Sequence, residues 1–317
     1  MWQPEGVQLP PLSPTSLARA AALAVGSGLA VGAYAAWEAR AYTLRHVQVP
    51  ALPPGAPTLR VLHLSDLHML PQQRRKQEWL RGLARLEPDL VVDTGDNLAH
   101  PEAVPVVCES LGPLLEVPGV FVHGSNDYFA PTLRNPLRYV LPDDGKRQTH
   151  TPPLPWPELS RRFVAAGWRD LTNVRDTLEV RGVRIALAGV DDPHLGYDDL
   201  AAVRGPADTD ADLRLGVTHA PYLRVLDQYA ADGYDAVLAG HTHGGQLCLP
   251  GVGALTTNCD LDTARAKGLH RHPADSHDGD PGSAWLHVSA GLGASPYTRV
   301  RIACRPEATL LTLTARP

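Results

Sequence analysis

The stretch that most constrains the fold is Gly240-His241-Thr242-His243-Gly244-Gly245, which directly follows a short apolar run. Glycines allow the backbone to turn sharply, so two histidines bracketed by glycines at a strand end can direct both imidazoles into one small space. Neutral imidazole is a common ligand of transition metals. A His-x-His pair alone is more often part of a surface loop. This pair gains weight because three earlier apolar runs also end in potential ligands, namely Asp66 and His68, Asp96, and His219.

Helix and strand patterns alternate over the first 65 residues after residue 58. Apolar runs at 59–64, 89–93 and 119–123 predict strands, and the segments 72–86 and 104–115 between them predict helices. This order predicts a layered α/β domain with parallel strands, and the later hairpin-like strands predict a second sheet packed on the first, with helices outside. Since ligand sites in such sheets form beyond the carboxyl ends of the strands, all six candidate ligands should meet at one edge. Six nitrogen and oxygen ligands exceed the needs of one tetrahedral metal and suit two metals that share a carboxylate.

The N-terminal region has a different character. Residues 20–37 contain no charged side chain and are about long enough to span ~30 Å of hydrocarbon as a helix. We therefore expect a tail over 1–19, a single-pass transmembrane anchor over 20–37, a proline-rich connector over 38–58 and a catalytic domain over 59–317. The alternatives are a cleaved signal peptide that exports the protein, suggested by Ala33-Tyr34-Ala35, and a buried alanine-rich helix.

Several other polar residues allow a functional and a structural interpretation. Residues 130–157 form a long proline-rich excursion that is typical of a lid or binding element, followed by a helix from Pro157 to Ala166. His63 is expected to be a core histidine, and His123 is a weak candidate for the site. The remaining polar clusters, for which a solvated surface is the favoured interpretation, are Arg134, Arg138, Lys146 and Arg147, and the group His270, His272, Asp275, His277, Asp278 and Asp280.

The motifs together resemble the calcineurin-like metallophosphoesterase family, most closely its membrane-associated bacterial branch. They occur in the family's order: Asp66-x-His68, Gly95-Asp96-Asn97, Gly124-Ser125-Asn126-Asp127, His219 and Gly240-His241-Thr242-His243. The resemblance implies a four-layer fold, in which two mixed β-sheets are sandwiched between helices. It also implies two divalent metal ions (Mn, Zn or Fe) that activate a bridging water for attack on phosphorus. In that scheme Asp66, His68 and His243 hold one ion, His219 and His241 hold the other, and Asp96 bridges both.

The third motif departs from the family pattern of Gly-Asn-His followed by an acidic residue. A gapless comparison puts Ser125 at the ligand position and Asn126 at the histidine position. We expect Asn126 to supply the missing oxygen ligand, since an amide oxygen suits a hard divalent ion better than a hydroxyl does. The catalytic candidates are then Asp96, Asn126 and Asp127.

The loss of the motif's histidine weakens help to the leaving group, and phosphodiesters with good leaving groups would suffer least. The sequence therefore predicts a metal-dependent phosphodiesterase, with a lipid-linked phosphate as an attractive substrate near a membrane. The alternative is a catalytically weakened metal-binding scaffold at the membrane. A nucleic-acid partner is not expected, because the formal net charge is −5.

Overall fold

The computed structural model describes residues 14–133, 145, 147 and 149–317. The described part begins with helix α1 (Pro14–Glu38), and the remaining helices lie in the connections between successive strands. These are α2 (Arg74–Gly82), α3 (Ala103–Leu111), α4 (Ser125–Tyr128), α5 (Trp156–Ala165), α6 (Leu200–Val203) and α7 (Leu223–Ala231).

The first sheet has six strands in the order β1-β14-β2-β3-β4-β5, and every neighbouring pair is parallel except β14 with β2. Its strands are β1 (Thr43–Leu52), β2 (Leu59–Leu64), β3 (Leu90–Asp93), β4 (Gly119–Phe121), β5 (Arg169–Asp170) and β14 (Glu307–Ala315).

The second sheet also has six strands, in the order β12-β13-β9-β8-β7-β6, with antiparallel pairs at both edges and parallel pairs between them. Its strands are β6 (Val174–Val180), β7 (Val183–Gly189), β8 (Leu213–Val217), β9 (Ala236–Ala239), β12 (Gly268–His272) and β13 (Ala284–Val288). A small hairpin, β10 (Cys248–Leu249) with β11 (Gly253–Ala254), follows the His241–His243 turn.

The core has three apolar layers because the side chains of each strand alternate between two faces. Val61 and Val92 of the first sheet belong to the same buried cluster as Leu215 and Leu238 of the second. Leu62 and its neighbours point the other way, into a cluster with α2, α3 and α5, and α7 covers the outer face of the second sheet. The predicted arrangement of two mixed sheets between helices is therefore confirmed.

The first strand lies where the sequence predicted a connector. Thr43–Leu52 pairs in parallel with β14, and Val49, Ala51 and Leu52 are buried between the sheets. Proline is tolerated in an edge strand, where one side of the backbone has no partner, and β1 is the edge of this sheet even though it contains Pro50. The prediction of a connector over 38–58 is thus wrong for Thr43–Leu52.

The N-terminal segment is helical, but its composition does not suit an anchor. Among the described residues, no helix is both long and apolar enough to cross a membrane. The run is built mainly from alanine and glycine, which offer little apolar surface for transfer into hydrocarbon. The predicted transmembrane anchor over 20–37 is therefore not supported.

Candidate metal centre

The candidate ligands lie in turns that leave the carboxyl ends of neighbouring strands. Asp66 and His68 follow β2, Asp96 follows β3, His219 follows β8, and the His241–His243 turn follows β9. Five of these residues adopt left-handed backbone conformations, with φ of +50° at Asp66, +40° at His68, +59° at Asp96, +68° at His241 and +49° at His243. Such conformations cost energy for residues other than glycine and are concentrated at functional sites. The tight turns bring side chains from different strands to one point.

Two overlapping groups of side chains have the geometry to hold metal ions. Asp66, His68 and His243 form one group, and Asp66, Asp96 and His219 form the other; within each group the ligand atoms lie within 4.8 Å of one another. Asp66 is common to both groups. A carboxylate shared in this way is the arrangement expected of two metals in close proximity.

Asp96, a member of the second group, also lies close to His68 of the first. Its Oδ2 is 3.4 Å from Nε2 of His68, and its Oδ1 is 3.6 Å from Nε2 of His219. Nε2 of His243 is 3.7 Å from Oδ1 of Asp66. These separations are too long for good hydrogen bonds, so the ligand atoms lie close together without satisfying one another.

Several of the converging atoms are buried and lack hydrogen-bond partners among the described residues. They are Oδ1 of Asp66, both ring nitrogens of His68 and Nε2 of His219. Buried polar atoms almost always have partners, because an unsatisfied one costs free energy. The donor set, two carboxylates and three imidazoles, is the chemistry that binds Mn, Fe or Zn. The residues present therefore fit the metal ions that the sequence implies.

The hydrogen bond of His219 selects the tautomer that can bind a metal. Its Nδ1 lies 2.7 Å from the carbonyl oxygen of Thr94, which can only accept, so Nδ1 carries the proton and Nε2 offers its lone pair. Burial alone lowers the pKa of His219, but the carboxylates of Asp96, Asp192 and Asp66 outweigh it and raise the pKa to about 9. A cation at Nε2 would replace that proton.

Burial is the main cause of the pKa shifts of the other candidate ligands. Burial raises the pKa of Asp96 to about 7 and also raises that of Asp66. Burial, together with the charge of Lys76, lowers the pKa of His68 to about 3. The pKa of His243 is lowered well below its ordinary value by burial, by His68 and by the fully buried Arg301. These two imidazoles are thus held neutral, which ligation requires.

The third motif places Asn126, rather than Ser125, beside the predicted ligands. The backbone N–H of Asn126 donates to Oδ1 of Asp96 and its side-chain amide donates to Oδ2, both at 2.7 Å. The Ser125 hydroxyl donates instead to Asp192. Asn126 therefore positions the Asp96 carboxylate, whereas Ser125 is held by a different acid.

Asp127 does not face the cleft, in contrast to the prediction that it is catalytic. Its carboxylate is fully buried and accepts hydrogen bonds from the backbone N–H groups of Asp96, Asn97 and Gly124. Nδ1 of His123 lies 3.8 Å from its Oδ2. Burial raises the pKa of Asp127, but the contact with His123 and these N–H groups outweighs it, and the net pKa is lowered. Asp127 and His123 thus hold the ligand-bearing turns from behind.

His241 lies outside both ligand groups but lines the cleft. Its Nε2 is 3.1 Å from the carbonyl oxygen of Asn258, and its ring centroid is 5.2 Å from that of His219. The ring of His194 lies 4.4 Å from that of His241. His194 and the buried Asp192, whose Oδ1 accepts from the His194 backbone, were not predicted from the sequence.

The cleft above the ligands has a volume of about 110 Å³ and a mainly polar wall. Its polar lining comes chiefly from His68, Asp96, Asn126, His194, His241 and His243. Residues 129–132, at the start of the predicted excursion, form part of its rim. The guanidinium of Arg147 donates to the carbonyl of His194 and to the Tyr222 hydroxyl.

The remaining candidates lie away from the cleft or outside the described residues. His63 is a core histidine as predicted, with Nδ1 2.9 Å from Nδ1 of His287 and Nε2 3.1 Å from the Thr94 hydroxyl. His270 and His272 belong to β12 rather than to a loop, and His272 contacts Asp227 at 2.8 Å. Arg134, Arg138 and Lys146 fall outside the described residues.

The chain is similar in sequence to known proteins. The family model described as calcineurin-like phosphoesterase matches residues 59–245. The uncharacterized metallophosphoesterase YkoQ of Bacillus subtilis is 28% identical over 262 residues, covering 81% of this chain and 84% of the relative. Phosphodiesterase YaeI of Escherichia coli is 24% identical over 266 residues, covering 82% and 83%. A bovine transmembrane protein with a metallophosphoesterase domain is 27% identical over 247 residues, covering 72% of this chain and 50% of the relative.

Proposed function

The chain belongs to the calcineurin-like phosphoesterase family, and we propose that it hydrolyses phosphodiesters at a centre of two divalent metal ions. The observation that carries this proposal is the set of buried, unsatisfied ligand atoms on Asp66, His68 and His219. Buried atoms of this kind are explained by cations that bind between them.

The proposed division of ligands combines the two groups in the structure with His241, whose ring lies beside that of His219. Asp66, His68 and His243 would hold one ion, His219 and His241 would hold the other, and Asp96 would bridge both. Divalent metals at such a centre supply Lewis acidity to a phosphoryl oxygen and a nucleophilic water at neutral pH. Within the chain, Asn126 keeps Asp96 oriented through two hydrogen bonds, and burial, with His68 and Arg301, lowers the pKa of His243 and keeps its imidazole neutral.

A preference for phosphodiesters with good leaving groups is supported by the side chain at the third motif. Asn126 occupies the position where the family places a histidine, and an amide does not donate a proton as a general acid does. Substrates whose leaving group needs no protonation lose least from this change. The name of the relative YaeI, a phosphodiesterase, agrees with this preference.

The alternative, a metal-binding scaffold without turnover, is not favoured. A scaffold that only binds metal needs no open polar cleft above its ligands, whereas this cleft gives a small polar substrate access to the centre.

Metal reconstitution of the full chain tests the proposal. The protein is stripped with a chelator and reloaded separately with Mn, Zn or Fe, and bound metal per chain is measured beside the hydrolysis of a chromogenic phosphodiester and a chromogenic phosphomonoester. We expect about two ions per chain and metal-restored diesterase activity. About one ion without turnover would contradict the proposal and support the scaffold.

We also propose that the protein acts at a membrane and that its substrate is a lipid-linked phosphodiester. Several side chains of α1 are exposed and apolar, including Leu23, Leu29 and Trp37. Cell fractionation at neutral pH and low salt tests the location, and recovery of the chain in the soluble fraction would contradict it. That result would also remove the reason to expect a lipid-linked phosphodiester as the substrate.

A further inference from the structure

A second cleft lies between the end of α1, the start of α2 and residues 292–294. It has a volume of about 290 Å³ and shares no lining residue with the cleft above the metal ligands. We call it the basic cleft, because its wall contains five cationic side chains: Arg40, Arg74, Arg75, Lys76 and Arg299. Tyr42, Leu70 and Leu292 supply apolar surface to the same wall.

Within the described residues, no acidic side chain balances the charges of the basic cleft. Its lining contains no aspartate or glutamate. Within the described part of the chain, none of the ion pairs made by arginine or lysine includes any of these five side chains. Like charges brought together without a counter-charge repel one another, and an anion bound among them would remove this cost.

The start of α2 adds to the positive potential. Arg74, Arg75 and Lys76 are the first three residues of this nine-residue helix, and its first turn contains no acidic residue. Cations are unfavourable at a helix N-terminus, where the backbone dipole is itself positive. The sequence thus places three cations at the end of the helix where anions are preferred.

Lys76 makes the site more than a solvated surface. Its side chain is only 2% exposed, although lysine is almost never fully buried without a partner. The one hydrogen bond that the described residues give its ammonium group runs from Nζ to the carbonyl oxygen of Leu67, at 2.6 Å. An ammonium group has three N–H donors, so it can also donate to a ligand in the cleft.

We propose that the basic cleft binds the phosphate group of an anionic ligand, at a site separate from the metal centre. Arginine forks match the geometry of phosphate oxygens, and the buried Lys76 side chain in the same wall can add N–H donors to them. The inference does not depend on the proposed phosphodiesterase activity, since it uses none of the metal ligands.

The position of the cleft favours a phospholipid headgroup as the source of the phosphate. Ala39 and Arg40, which line the cleft, directly follow the last residue of α1. The same helix exposes Leu29, Val31 and Trp37. A helix with exposed apolar side chains beside a cationic cleft matches a ligand that carries acyl chains and a phosphate together.

The test compares two double variants of the full chain. Arg74→Gln/Arg75→Gln removes two charges from the cleft, and Arg85→Gln/Arg161→Gln removes two exposed arginines elsewhere. The net charge change is the same in both. The cleft variant is expected to fold, because it takes two cations away from a helix N-terminus. Binding is measured on metal-stripped protein from which the chelator has been removed, so that no metal ion at the centre can bind phosphate.

The ligands are vesicles of phosphatidylcholine with and without phosphatidylglycerol, and inorganic phosphate as a competitor. We expect the wild-type chain to prefer the anionic vesicles and phosphate to compete. The cleft variant should bind about 25-fold more weakly, at about fivefold per arginine, and the control variant should match wild type.

Binding of inorganic phosphate that only the cleft variant loses, without a preference for anionic vesicles, would support the site and identify a soluble phosphate compound as its source. Equal losses in the two variants would overturn the proposal, since they would show attraction by net charge alone. The absence of any binding of phosphate or anionic vesicles to the wild-type chain would also overturn it.

Discussion

Gly124 is a position where a single added carbon atom should disturb the metal centre directly. A Cβ atom at this residue would lie 2.4 Å from Oδ1 of Asp96 and 2.6 Å from Cε1 of His219. The backbone of Gly124 is extended, with φ of −120°, so alanine is compatible with the local conformation. The effect of Gly124→Ala should therefore come from contact with the two ligands and not from backbone strain.

The size of the effect follows from the distances. Non-bonded carbon and oxygen atoms normally approach to about 3.5 Å, so Asp96 or the third-motif turn must move by about 1 Å. A displacement of about 1 Å in catalytic geometry costs about 100-fold in rate, or about 2.7 kcal/mol of transition-state stabilisation. Overpacking of this kind also lowers the free energy of unfolding by about 1–3 kcal/mol.

The assay measures diesterase turnover, bound metal and urea denaturation for Gly124→Ala beside Gly82→Ala. Gly82 ends α2, and its added Cβ would meet nothing within 4 Å. The control should leave turnover and metal content unchanged and raise the free energy of unfolding by about 0.5–1 kcal/mol. If Gly124→Ala kept wild-type turnover and metal content, the assignment of Asp96 and His219 to the centre would be refuted.

Three further substitutions probe separate parts of the structure. Asp96→Asn should reduce turnover by more than about 100-fold, because loss of a ligand should exceed the 10–100-fold cost of losing an outer-shell partner. Circular dichroism should show that the variant keeps its fold. Retained turnover would exclude a bridging role for Asp96. Asp127→Asn should lower the free energy of unfolding by about 3–5 kcal/mol in urea denaturation, since it leaves His123 without its buried partner; a loss below about 1 kcal/mol would contradict this role. Lys76→Met should raise the melting temperature most below about pH 7. Burial lowers the pKa of Lys76 from 10.5 to about 7, so the folded wild type carries the cost of a buried charge at low pH, and the advantage of the variant should shrink as pH rises from about 7 to 10.5. An advantage that does not change with pH would show that Lys76 is not desolvated.

The sequence predicts the strands whose apolar runs are local and misses the one whose partner is remote. The pattern from residue 59 onward identifies β2, β3 and β4, because their alternating apolar residues face the two buried layers. The strand β1 looks like a proline-stiffened linker, since its pairing depends on β14, which begins at Glu307. No local periodicity reveals a pairing across more than 250 residues of chain.

The order of strands also predicts most of the site, and its errors concern side-chain direction. Spacing along the chain brings Asp66, Asp96 and His219 to one edge, but it does not tell which way a residue in a one-turn helix points. In α4, Asn126 faces Asp96, whereas Asp127 turns back onto the N–H groups of the ligand-bearing turns. The same rule that found the ligands applies to the carboxyl end of β7, where Asp192 and His194 follow.

No residue pattern predicts the left-handed backbone conformations in the ligand-bearing turns. They occur at Asp66, His68, Asp96, His241 and His243. Each costs about 1–3 kcal/mol and persists only where the surrounding structure enforces it. Here the enforcement comes from buried groups distant in sequence. The Asp127 carboxylate accepts a hydrogen bond from the backbone N–H of Asp96. The guanidinium of Arg301 donates to the carbonyls of Ala290, Gly291 and Gly293 beside the His243 turn. The convergence of the ligands is therefore a property of the folded domain as a whole. Cations bound between these side chains would stabilise the folded state and so offset part of the cost of the strained conformations.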